Sequence, residues 1–187
     1  MSGGHGHIDA SNKNVAMLIA ILALVLAISE TLGKGAQTTA LNINIEAANL
    51  WNFFQAKTIR GTVLKTAAEE LELSLATAGP EAKQAIEKRV SDWKKNVARY
   101  DSEPETGEGR KELAARAKAA ESKRDRSLAA YHHFELASAA VQIAIVLASA
   151  TVITGAGWLT FVSLGLGVIG IVFCGIGFFA PQSVHLF

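Results

Sequence analysis

Cysteine is almost absent from this chain. Its one copy, Cys174, lies inside an uncharged apolar run, so no disulfide framework exists. Proline is nearly as scarce: of three, only Pro80 falls between two long helical patterns, which fits a chain that is helical almost throughout. Net charge is missing too. The 18 Lys and Arg against 17 Asp and Glu leave a formal +1, without the basic excess expected of a nucleic-acid partner. Catalytic signatures are also lacking. There is no nucleophile elbow, no His-Glu-x-x-His zinc helix and no phosphate loop, so a protein without enzymatic activity, cofactor or metal is expected.

What is present is apolar. Half of the 187 residues are hydrophobic, and much of that content sits in three runs. Residues 134–154 and 158–180 contain one charged residue between them, Glu135 at the start, and each approaches the roughly 20 helical residues needed to cross a bilayer. Only Gly155-Ala156-Gly157 separates them, too short for anything but a tight turn, so they read as a transmembrane helical hairpin. The first run, residues 15–32, could be a signal-peptide core, but no clear small-x-small cleavage site follows it. An uncleaved transmembrane helix is expected there, behind a polar tail over residues 1–14. His5 and His7 in that tail have no fixed geometry for a metal and read as solvated. A second short tail is expected over residues 181–187.

Small residues punctuate these runs at helical spacing. Ser163, Gly167, Gly170, Cys174 and Gly177 follow each other four, three, four and three apart, and Ala137, Ala140, Ala144, Ala148, Thr151 and Gly155 form a comparable stripe. Lipid tails are as apolar as leucine, so membrane helices associate through close backbone approach, which such residues permit. These positions are the expected packing seam. Gly165-x-Gly167-x-x-Gly170 also matches a dinucleotide-binding pattern, but that motif works only between a strand and a soluble helix. In the first run Ala16, Ala20, Ala23 and Ala27 share a stripe that ends in Glu30 and Lys34. An acid at a membrane helix edge needs a partner, and Lys34, four residues on, is the expected one. Gln142 is the other intramembrane polar candidate, sharing a face with Ser138 and Ser149.

Residues 33–133 read as an extramembrane helical domain. Gly33 and Gly35 could hinge the exit from the membrane, and a helix is expected from Thr38 to Ala76, with Leu64, Ala68, Leu71 and Leu75 as a packing seam. Gly79 and Pro80 break it and open a second helix, with Ala82, Ile86, Val90, Trp93, Val97 and Tyr100 on one face. Asp101 to Gly109 reads as a solvated acidic turn, its carboxylates matching no calcium-loop spacing. A charged helix from Arg110 then runs into the hairpin without a breaker. His132 and His133 read as an interfacial boundary rather than an acid–base pair. At about 1.5 Å per residue the outgoing helix rises roughly 60 Å and the two returning ones roughly 70 Å in series. The lengths therefore close as an elongated helical hairpin inserted between the first and second transmembrane helices of an all-α protein. The aromatics of Leu50 to Phe54 are expected inside that domain, with a place on the bilayer surface as the competing arrangement.

Two stretches resemble an uncharacterised family of bacterial membrane proteins known as domain of unknown function 4337. The first, Trp51 to Arg60, is similar to its aromatic-Gln-Ala-Lys-x-Ile-Arg signature, placing Trp51, Phe54, Gln55, Lys57 and Arg60 in the motif. The second is Gln142 to Ser149. The resemblance covers almost the whole chain and implies three membrane helices around a helical insert, in the bacterial inner membrane. It implies no activity. All of the Lys and Arg residues but Lys13 fall in the insert, yet a domain of about 100 residues can translocate regardless of charge. Lys13 then favours the N-terminus inside and the insert in the periplasm. The expected function is a self-associating membrane protein or an accessory or scaffold subunit, with the lipid bilayer, a second copy or a membrane complex as partner. A small transporter or channel-forming oligomer using Glu30 and Gln142 is the alternative.

Overall fold

A computed structural model of the chain describes residues 10–184. His5 and His7 lie outside the described residues. The described chain is all-α: α1 spans Ala10–Leu73, α2 Pro80–Asp101, α3 Arg110–Thr154 and α4 Trp158–Phe179, with a short 3-10 turn at Ser74–Ala76. No strand occurs among the described residues. Three of these helices, α1, α3 and α4, contain segments long and apolar enough to cross a membrane.

Several boundaries differ from those read in the sequence. Residues 10–14 are already helical, so the polar tail is shorter than expected. Gly33 and Gly35 do not break the helix, because α1 runs through both. Gly33 instead serves packing: a β-carbon there would sit 3.4 Å from Phe134 Cβ on α3. The helix expected to end at Ala76 tightens into 3-10 geometry after Leu73, and Thr77 N–H closes that turn on the Ser74 carbonyl at 3.3 Å. Pro80 opens α2 as expected, where its missing N–H would have had no intrahelical partner anyway. Glu81 in the first turn and Arg99 in the last complement the helix dipole. α3 ends at Gly155, whose φ of 71° is the left-handed conformation that favours glycine, and Gly155 N–H bonds the Thr151 carbonyl at 2.9 Å.

The chain divides into two compact units. One holds the residues up to Leu41 and from Arg124 onward, the other Asn42–Lys123. In the second unit α1 is covered by two partners in succession. Ala47 and Leu50 of α1 pack on Leu113, Ala117 and Ala120 of α3, with Ile43, Trp51 and Phe54 alongside. Further along, Glu72 of α1 pairs with Lys94 of α2, and Ala68 and Val90 are buried. Phe53 stays partly exposed and Ala82 is exposed, while the other expected face positions of α2 are buried or half-buried.

In the first unit the usual burial pattern is inverted. The small residues of α4 point inward, with Ser163, Gly167, Gly170 and Gly177 all buried. Its bulky residues point outward, with Phe161 at 78% and Phe179 at 80% exposure. Leu22 of α1 joins Val141 and Ala144 of α3 in an apolar core, flanked by Val25, Ile145 and Leu166.

Candidate functional site

Polar side chains of α1 and α3 meet in the first unit. Ser29 Oγ donates to the Leu26 carbonyl at 3.0 Å, and since that oxygen can only accept, Ser138 is the donor in the 2.9 Å bond between the two serines. One turn away, Gln142 Nε2 donates to Glu30 Oε1 at 3.2 Å. The two intramembrane candidates read separately in the sequence are therefore partners. Lys34 is not: among the described residues it forms no ion pair with Glu30, whose carboxylate is taken by an amide from the facing helix. Ser138 and Gln142 share the face toward α1, while Ser149 bonds back to the Ile145 carbonyl of its own helix at 2.8 Å.

Ser29, Glu30, Ser138 and Gln142 line an open groove of about 430 Å³, together with Lys34, Gln37, Tyr131 and Glu135. Tyr131 O–H donates to Glu135 at 3.4 Å, and His132 Nδ1 lies 3.7 Å from the other oxygen of that carboxylate. Its side walls are thus polar and of both signs.

Of the residues expected as a seam on α4, Ser163, Gly167, Gly170 and Gly177 are buried, and they face two helices rather than one. A β-carbon at Gly170 would collide with Val141 Cγ2 and lie 3.1 Å from the Ala137 carbonyl oxygen. At Gly177 it would lie 3.0 Å from His133 Cβ, and at Gly167 2.7 Å from Leu22 Cδ2 of α1. Ser163 Oγ donates to the Ala144 carbonyl at 2.7 Å across the same contact. Cys174 is only partly buried. The alanine stripe of α1 differs: Ala16, Ala20, Ala23 and Ala27 are all exposed, and α1 packs instead through Val15, Leu22, Ser29 and Gly33. Gly167 of α4 leaves room for the Leu22 side chain of α1, so α1 meets α4 there through a bulky residue rather than through its alanines.

His133 departs from the boundary role expected of it. It is fully buried, stacked on Phe173 at 6.0 Å, with Nε2 3.1 Å from the Pro181 carbonyl oxygen. A carbonyl only accepts, so Nε2 is the donor, and Nδ1 is buried without a hydrogen-bond partner among the described residues. Stepping back four residues from Ala137 on its stripe lands on His133, a signal that was present in the spacing.

The second unit holds the aromatic motif. Trp51 Nε1 donates to Glu121 at 2.9 Å and its ring meets Phe54 edge-on at 5.5 Å. The Arg110 guanidinium lies 5.3 Å from the Phe54 ring centre and 3.8 Å from Asp101. Lys57 is the buried charge, 6% exposed, with Glu103 at 3.7 Å and Glu108 at 3.9 Å. The rings of Phe53 and Tyr100 flank its ammonium at 5.4 and 5.1 Å. Gln55 and Arg60 are exposed.

The acidic turn is therefore not merely solvated, because Lys57 draws two of its carboxylates onto α1. Glu112 closes the same turn from its far side, accepting from Ser102 Oγ at 2.7 Å and Glu103 N–H at 3.1 Å. Those two hydrogen bonds, the hydroxyl first, hold its carboxyl below the ordinary value. Gly109 is needed there, since a β-carbon would collide with Glu112 and the Glu103 backbone.

The motif and the hairpin lie within one family pattern. A family model for a domain of unknown function, DUF4337, matches residues 11–180. The chain belongs to the DUF4337 family. Membership joins the buried Lys57 cluster and the α3–α4 hairpin in one domain description and assigns no activity to either. No curated protein and no solved structure matches this DUF4337 chain.

Proposed function

We propose that the chain is an integral membrane protein with three transmembrane helices, self-associating or serving as an accessory or scaffold subunit, without enzymatic activity. The bonding of Glu30 to Gln142 within one chain carries this reading. In hydrocarbon a polar side chain must find a partner, and here the acid and the amide satisfy each other by holding α1 to α3. The outward bulk of α4 supports insertion, because lipid solvates such a surface and water does not. The membrane is the bacterial inner membrane, with the insert on the periplasmic side. A transporter would instead keep these groups free for a passing ion.

Reconstituted liposomes test the choice. The wild-type chain is expected to add no proton or ion leak over empty vesicles, and Gln142→Leu to loosen helix association modestly, by about 0.6–2 kcal/mol. Leak that requires the wild-type chain and disappears in Gln142→Leu or Glu30→Gln would replace the scaffold with a transporter.

A further inference from the structure

We propose that the groove between α1 and α3 binds the headgroup of an aminophospholipid, its primary ammonium between Glu30 and Glu135 and its phosphate on Lys34. This deepens the membrane reading above and rests on it. The volume, about 430 Å³, falls among ligand pockets of about 300–1,000 Å³.

Charge selects the class of ligand. Two carboxylates and one ammonium face the groove, so a simple anion meets a net negative wall. A bare cation meets Lys34. A zwitterion that joins an ammonium to a phosphate satisfies both signs at once.

Hydrogen bonding narrows the choice further. Gln142 spends an amide N–H on one oxygen of Glu30, which leaves its own carbonyl and the second Glu30 oxygen as acceptors. Tyr131 donates to one oxygen of Glu135. The acid wall is thus rich in acceptors, and a primary ammonium brings three N–H donors to it. A trimethylated amine brings none, so a choline headgroup fits the charge and fails the hydrogen bonds.

The exposed alanines of α1 favour a lipid over a soluble amine. Ala20, Ala23 and Ala27 lie on the stripe that ends at Glu30 and Lys34, and among the described residues no helix covers them. Leu24, 62% exposed, stands beside that row of methyls, so an uncovered apolar strip of α1 leads back from Glu30. An acyl chain attached to a headgroup in the groove lies along it, and a soluble amine has no use for it.

The full-length chain, reconstituted in nanodiscs of mixed phosphatidylethanolamine, phosphatidylcholine and phosphatidylglycerol and released for native mass spectrometry, tests the site. Phosphatidylethanolamine is expected to be retained at least tenfold over the other two. The double variant Glu30→Gln, Glu135→Gln is expected to lose that preference while keeping wild-type helicity by circular dichroism. Equal retention of the ethanolamine and choline lipids by the wild-type chain would overturn the site, whatever the variant does. So would a preference for phosphatidylglycerol, or displacement of the lipid by soluble phosphoethanolamine at equal concentration. Alkaline carbonate separates the two readings: a chain that stays in the membrane without headgroup preference loses only this site. A chain released by carbonate loses the membrane reading and the site together.

Discussion

At the scale of single residues, the buried charge of Lys57 invites an unequal pair of substitutions. Lys57→Met removes the charge and keeps most of the volume, and the acids it leaves, Glu103 and Glu108, are 19% and 50% exposed and can rehydrate. Glu103→Gln leaves the ammonium buried with only the more distant Glu108 carboxylate. The second change is therefore expected to cost more, approaching about 3 kcal/mol against about 1 kcal/mol, by the asymmetry of breaking a buried pair. Thermal or denaturant unfolding of the two variants checks the order, and a costlier Lys57→Met would mean that the aromatic contacts dominate. Glu112 makes a pH prediction. Its folded carboxyl is held below the ordinary 4.5 by bonds to its charged form, so the stability it contributes is full above that value. That contribution is lost as pH falls below 4.5 through the lowered folded value. Acid titration of the melting temperature should therefore show a loss in this window that Glu112→Gln flattens.

At the scale of elements, the α4 seam ranks its glycines by what each one faces. Gly167 meets the flexible end of Leu22, which can turn aside, whereas Gly170 and Gly177 meet α3 backbone carbonyls as well as side chains. Gly167→Ala is accordingly expected to be nearly neutral. Gly177→Ala and Gly170→Leu should push α4 from α3, with Gly170→Leu lowering stability in detergent by about 1–3 kcal/mol, the usual scale of overpacking. Melting curves of the three variants in one detergent decide it, and wild-type behaviour of Gly170→Leu would place that residue toward lipid. Gly33 plays a like part between α1 and α3, a helix-interior glycine that allows α1 and Phe134 to approach rather than bending the chain.

At the scale of the whole molecule, the proposed membrane topology, with residues 33–133 on the periplasmic side, makes a labelling prediction. With Cys174→Ser as background, a cysteine at Glu105 in the exposed turn is expected to react with a membrane-impermeant maleimide added to intact spheroplasts. Labelling only after the cells are opened would put the insert in the cytoplasm and reverse the proposed topology. The insert carries all but one of the chain's Lys and Arg residues, so its side decides where that charge is presented. The division of the chain into two units makes the label readable, because Glu105 belongs wholly to the second.

Composition and periodicity alone determined the all-α class, the three apolar segments, the tight turn at Gly155 and the opening of α2 at Pro80. Each is a local property: helix, breaker and turn chemistry act within a few residues. The buried places of Lys57 and His133 were also written in spacing, for Lys57 continues the three-four rhythm of Ala47, Leu50 and Phe54, and His133 that of Ala137. Their charged or polar identity masked them, since an isolated sequence ranks such residues as surface. Only the tertiary structure decided partners. Helical period shows which residues share a face but not which face meets which, so it could not tell that Glu30 would bond Gln142 rather than Lys34. Nor could it tell that α1 would turn Leu22 inward and leave its alanines exposed. The room for Leu22 is made by Gly167 of α4, more than a hundred residues away along the chain.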